Sequence, residues 1–140
     1  MPSTAADASG LLNAAFDSGR PTLFFYPKAL LNDRSLATSS DVRRQFVPIG
    51  RARVERRGDD VTLVAYGNAT ERCRRAADAL ATAGVKAELI DLRSLSPWDE
   101  DTVLASARKT GHLLVAHEDN HSCGMFRLRA AGETTKVRSH

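Results

Sequence analysis

The chain has 140 residues, 42% apolar and 26% charged, which is enough for one core of ordinary size and too little for two independent domains of typical length. No apolar run approaches the roughly 20 residues of a membrane-spanning helix, and the start Met1-Pro2-Ser3-Thr4 lacks the basic and apolar regions of a signal peptide, so a cytoplasmic chain with no membrane contact is expected. The net charge of +3 belongs to the end: residues 1–126 hold 16 Lys/Arg against 16 Asp/Glu, while Arg127, Arg129, Lys136 and Arg138 face only Glu133, so the body offers no nucleic-acid surface.

Residues 4–18 predict a helix, capped by Thr4-x-x-Asp7, with Ala8, Leu11, Leu12, Ala15 and Phe16 spaced along one face. Ser18-Gly19-Arg20-Pro21 ends it. Thr22-Leu23-Phe24-Phe25-Tyr26, aromatic and β-branched between Pro21 and Pro27, predicts a buried strand. Residues 27–47 lose periodicity and read as a connection lying on a neighbouring surface. Alternation through Arg51-Ala52-Arg53-Val54-Glu55 and a turn at Arg57-Gly58-Asp59-Asp60 lead into the apolar run Val61 to Tyr66.

Gly67 ends that strand, and Asn68-x-x-Glu71 predicts a capped helix with Ala69, Cys73, Ala76, Ala77 and Leu80 on one face and Gly84 as its left-handed terminus. A second strand spans Val85 to Leu92. Ser96 is expected to cap the next helix, with Pro97 in its first turn and Asp99 at its positive end; that helix runs to about Lys109 before Gly111. His112 to His117 is the third strand. Strand, helix, strand, helix, strand over residues 61–117 makes two successive βαβ units and predicts an α/β fold with a parallel sheet. Residues 125–140 carry neither period and read as an irregular basic tail.

Ligands of open α/β sheets bind beyond the carboxyl ends of the strands. Here that edge carries Gly67-Asn68, Asp91-Leu92-Arg93 and His117-Glu118-Asp119-Asn120-His121. The last satisfies H-E-x-x-H, but a zinc site needs both imidazoles on one helix face, and His117 ends a strand. A strand-end polar cluster is the simpler account, and a thiol-imidazole pair of His121 with Cys123 lacks a third, orienting group. Asp91 and Glu118 are candidates for paired-carboxylate acid/base chemistry, with Arg93 placed to neutralise Asp91 instead. No phosphate-binding glycine loop follows any strand. Cys73 and Cys123 are too few for a disulfide framework and read as reduced and structural. The last carbonyls of the first helix carry the negative dipole end, and backbone oxygens of Ala15, Ser18 and Arg20 in the following turn are candidate ligands for a hard monovalent cation.

Six ordered segments carry a family resemblance: Asp7-Ala8-Ser9-Gly10-Leu11-Leu12, the run Pro21 to Lys28, the run Val47 to Ala52, the run Val61 to Gly67, the run Ile90 to Asp99, and the run Lys109 to Glu118. Over about residues 2–124 the chain resembles the β subunit of thiamine-diphosphate-dependent 2-oxoacid dehydrogenases, most closely the branched-chain (2-oxoisovalerate) type, with pyruvate and acetoin relatives as near alternatives. The resemblance implies that residues 1–47 are the end of a pyrimidine-binding domain, a helix and strand with their exit loop. It further implies that residues 48–124 are a partial transketolase C-terminal-like domain, and that 125–140 are the departing tail.

The resemblance implies oxidative decarboxylation of a branched-chain 2-oxo acid, with acyl transfer to a lipoyl arm. It implies thiamine diphosphate and magnesium in the intact complex. The glutamate and histidine that act on the cofactor in the family lie upstream of the segment matched by Asp7, and the diphosphate motif belongs to the α subunit. The expectation is therefore a partial, truncated β chain with no catalytic or cofactor-binding residue of its own, inactive alone and oligomeric. Its implied partners are an α subunit, a second β subunit and the dihydrolipoyl acyltransferase core. Family members hold a structural potassium at positions matching Ala15, Ser18 and Arg20. The alternative is a non-catalytic module for subunit assembly.

Overall fold

The computed structural model describes residues 1–118. In chain order these form helix α1 (Ala5–Asp17), strands β1 (Arg53–Arg56) and β2 (Val61–Ala65), helix α2 (Asn68–Thr82), strand β3 (Ala87–Asp91), helix α3 (Glu100–Thr110) and strand β4 (Leu113–Ala116). Single 3-10 turns at Lys28–Leu30, Arg34–Leu36 and Val42–Arg44 punctuate the connection after α1.

The strands form one sheet in the order β1-β3-β2-β4, with β2 parallel to both β3 and β4. Leu63 stands opposite Leu89 on one side and Leu114 on the other. The two βαβ units of the sequence reading are thus present. The sheet as a whole is mixed, because β1 pairs antiparallel with β3, placing Arg53 opposite Asp91. The alternating Arg53-Val54-Glu55 run fits such an edge, with Val54 against the second core and Arg53 and Glu55 on the opposite side among charged partners.

Alternation along β2 divides the core into two. Leu63 and Ala65 pack with Leu89 of β3 and with Ala69, Cys73 and Ala77 of α2. Val64 and Tyr66 point the other way, joining Ile90, Leu92 and Val103 of α3. Cys73 is a free, buried thiol, as its place in an apolar stripe implied. Beneath α3 the hydroxyl of Thr62 meets those of Ser106 at 2.7 Å and Thr110 at 2.8 Å, so this buried polar trio satisfies itself. Gly58 lies so close to β3 that a Cβ there would stand 2.3 Å from the Ala87 carbonyl carbon, so the turn between β1 and β2 needs glycine.

Several local expectations are corrected. Residues 22–26 join no strand ladder, and Leu23, Phe25 and Tyr26 are 85%, 58% and 56% exposed; β propensity has no partner strand to act on among the described residues. Asp99, not Ser96, caps α3, accepting from the Thr102 N–H at 3.2 Å while its other oxygen takes the Ala52 N–H at 3.0 Å. Gly67, at φ 55°, caps α2 in place of Asn68, which becomes its first residue. On α2, Ala76 is exposed and Thr70 is buried. The caps expected at Thr4, Gly84 and Gly111 are found, the two glycines with φ of 81° and 69°. No described helix is long and apolar enough to cross a membrane.

Candidate functional site

The carboxyl ends of β2, β3 and β4 face α1 and the chain following it across a cleft of about 1160 Å³, whose lining includes Leu11, Phe24, Ile49, Tyr66, Arg93 and Glu118. The Tyr66 and His117 rings stack with centroids 6.4 Å apart and planes 8° from parallel. Glu118 accepts from Asn68 Nδ2 at 2.8 Å and pairs with Arg72 at 3.1 Å. The Asn68 side chain thus reaches across the strand ends from the first turn of α2.

Asp91 and Glu118, candidates for a carboxylate pair, do not form one, and Asp91 is salt-bridged as the simpler account had it. Strand β2 lies between β3 and β4, so the two residues end strands that are not adjacent. Asp91 is fully buried and accepts from Ser3 Oγ at 2.5 Å, Arg53 Nη2 at 3.4 Å, the Arg93 backbone N–H at 3.2 Å and Thr70 Oγ1 at 3.5 Å. Burial pushes its carboxyl up to about 6, against the lowering effect of the Ser3 hydrogen bond and the Arg53 charge. Nor does the Arg93 guanidinium neutralise it. Arg93, at φ 57°, reaches Asp7 at 3.3 Å and the carbonyl oxygens of Arg51 and Ala52 at 3.0 and 3.2 Å.

Arg53 takes the part assigned to Arg93. Its Nη2 stands 2.9 Å from Asp7, 2.5 Å from Glu55 and 3.4 Å from Asp91. Glu55 is also gripped by Arg74, at 2.6 and 2.7 Å. Burial alone would raise the Glu55 carboxyl, but hydrogen bonds from Arg74 and Arg53 hold it below its ordinary value. Sequence reasoning missed Ser3, Arg53 and Thr70, and saw Asp7 only as a capping residue. The available signal was the spacing of Arg53 and Glu55, two apart in an alternating strand and so on one face.

At the end of α1, the Ala15 carbonyl accepts from Ser18 Oγ at 2.7 Å and the Arg20 carbonyl from Thr22 Oγ1 at 3.1 Å. All three candidate cation positions, Ala15, Ser18 and Arg20, line the cleft. Each of the two engaged carbonyls keeps a second lone pair. Among the described residues, no three or more His, Cys, Asp or Glu gather as a metal site. His121 and Cys123 lie outside the described residues, and with them the zinc and thiol-imidazole readings, as does the tail from 125 to 140.

Residues 50–128 match the family described as transketolase, C-terminal domain. The β subunit of the pyruvate dehydrogenase E1 component of Acholeplasma laidlawii is 37% identical over 123 residues, covering 88% of this chain and 37% of that protein. Two Bacillus subtilis proteins match similarly. The β subunit of acetoin:2,6-dichlorophenolindophenol oxidoreductase is 38% identical, over 89% of this chain and 36% of its own length. The β subunit of 2-oxoisovalerate dehydrogenase is 39% identical, over 85% and 36%. A solved split-gene transketolase, an inactive β4 tetramer, aligns at 36% identity with a TM-score of 0.50, over 53% of this chain and 25% of its own. The chain thus spans 36–37% of the length of these curated relatives. The fold and these matches agree: the chain belongs to the transketolase C-terminal domain family and is a relative of the β subunits of 2-oxoacid dehydrogenases.

Proposed function

We propose that the chain is the β-side portion of a thiamine-diphosphate-dependent 2-oxoacid dehydrogenase, joining the end of a pyrimidine-binding domain (residues 1–47) to the start of the C-terminal domain. The observation that carries this reading is the 36–39% identity to such β subunits over 84–88% of the chain. A branched-chain 2-oxo acid is the proposed substrate, on the strength of Phe24-Phe25-Tyr26-Pro27-Lys28 and Pro97-Trp98-Asp99. Pyruvate- and acetoin-linked relatives match as well as 2-oxoisovalerate ones, so all three belong in any assay.

The described residues do not fit thiamine diphosphate by themselves. Asp7 of α1 and Asp91 at the end of β3, both buried, are closed off by Arg53, Arg93 and Ser3, so neither is free to meet a ring nitrogen. Cofactor and magnesium are accordingly assigned to the complete complex, formed with an α subunit, a second β subunit and a dihydrolipoyl acyltransferase core, in the cytoplasm. This chain supplies packing and orientation. A structural potassium ion, held by backbone oxygens of Ala15, Ser18 and Arg20, is part of the proposal; a rise in melting temperature in potassium over sodium or lithium salts would support it.

A second reading, a non-catalytic assembly module, is favoured by the exposure of Phe16 (80%), Leu23 (85%) and Phe25 (58%). One experiment separates the two. Decarboxylation of 2-oxoisovalerate and pyruvate and cleavage of acetoin are measured with thiamine diphosphate and magnesium, with and without a candidate α subunit. Turnover appearing only on mixing supports the dehydrogenase reading. Stable binding without turnover favours the assembly module, and turnover by the 140-residue polypeptide alone overturns both.

A further inference from the structure

The N-terminal helix and the sheet are joined in an unusual way. Neither sheet core includes a residue of α1, and among described residues 1–17 only Met1 packs against one of them. Helix α1 instead has a body of its own with the segment that returns beside it. Asn13 Nδ2 donates to the carbonyl oxygens of Val42 and Gln45 at 2.8 and 2.7 Å, and Ser9 Oγ to that of Val42 at 2.8 Å. The Val47 N–H donates to the Gly10 carbonyl at 3.1 Å. The approach is so close there that a Cβ on Gly10 would stand 2.6 Å from Val47 Cγ2.

What ties this body to the sheet is charge. Asp7 on α1, 2% exposed, meets Arg53 of β1 at 2.9 Å and Arg93 beyond β3 at 3.3 Å. Ser3, 1% exposed, donates to Asp91 at the end of β3 at 2.5 Å. Glu55 and Arg74 complete the cluster from β1 and α2, with Arg74 Nη2 3.4 Å from Ser3 Oγ. Arg93 is braced on its far side by the carbonyls of Arg51 and Ala52, which precede β1. The cleft lies between the two bodies.

We propose that Asp7, Ser3, Arg53, Arg93 and Asp91 form a charge latch, through which α1 and residues 42–47 undock from the sheet as one body and open the cleft over Tyr66 and Arg93. Removing one partner of a buried ion cluster leaves the others desolvated and uncompensated, so the docked state depends on every member. The chain between the bodies, Pro48-Ile49-Gly50, is short, and Gly50 at φ 81° takes a conformation open to glycine. Opening therefore leaves β1 to β4 and the buried residues of both cores in place, and takes only Met1 from beside the second core. This inference is independent of the reaction assigned above.

The test is amide hydrogen exchange on the 140-residue chain, comparing the wild type with Arg53→Met and Asp7→Asn. The expected result is exchange in α1 faster by about tenfold or more in both variants, with amides of β2 and β3 changed less than about twofold. Asp7→Asn guards against a folding failure of Arg53→Met; because Thr4 Oγ1 donates to Asp7 Oδ2 at 2.6 Å, acceleration confined to the first turn of α1 would mark cap loss and overturn the latch, while acceleration shared by α1 and residues 42–47 supports it. Equal acceleration in α1 and β3 in the Asn variant would show one cooperative unit and overturn the latch. No acceleration in α1 would overturn it too.

Discussion

The sheet body and the helical body of this molecule are held by different forces. From β2 to β4 the chain buries Val64, Ala65, Ile90, Leu92 and Val103 to 0% exposure, with β2 in unbroken register with both β3 and β4. Stability there is a matter of apolar area and close packing. The body around α1 buries Leu11 and Ala14 but leaves Leu12 and Phe16 43% and 80% exposed, and it reaches the sheet chiefly through carboxylates, hydroxyls and guanidinium groups. Substitutions in the first body should be felt everywhere, and those at the seam should be felt locally and with pH.

The sharpest break is Ile90→Ala. Ile90 sits in the second core, and its loss should cost about 2–5 kcal/mol, read as a lower urea midpoint for the whole cooperative transition. Next is the pH dependence of the seam. The folded Asp91 carboxyl is raised to about 6 from an ordinary 3.8, so between those values the unfolded chain has released a proton that the folded one keeps. Stability from this group is therefore greatest below pH 4, falls on the order of 3 kcal/mol as pH rises through the window, and is flat above it. Glu55, Glu88 and Asp99 are held low and act in the opposite sense, so the measurement is the difference between wild type and Asp91→Asn. In that difference the variant should gain on the wild type as pH rises from about 4 to 6. A flat difference would show that Asp91 is not the group responsible. The smallest effect belongs to Arg72→Ala. Its partner Glu118 is 48% exposed and Arg72 is 73% exposed, so thermal unfolding should shift by no more than about 0.5 kcal/mol.

Much of the sheet body was legible in the sequence. Nearly unbroken apolar strands separated by capped amphipathic helices admit few other arrangements, and Cys73, Gly84 and Gly111 fell where the pattern put them. The helix caps at Gly67 and Asp99 were misread because a cap is set by where the backbone enters the helix: Gly67, at φ 55°, precedes α2, and α3 begins only at Glu100, which puts Asp99 rather than Ser96 at its entry. The strand expected at Thr22 to Tyr26 failed because a strand is a pairing, and propensity says nothing of whether a partner lies alongside.

Taken alone, the sequence determined the βαβαβ order, the Ala69, Cys73 and Ala77 side of α2 and the family, because periodicity, turn chemistry and ordered motifs are local quantities. Tertiary structure decided the strand order, and with it the separation of Asp91 from Glu118 by β2. It also decided that Arg53, not Arg93, neutralises Asp91. These choices depend on which residues distant in the chain come within a few ångströms, and the Coulomb and hydrogen-bond energies that govern them exist only once the sheet has closed the distance.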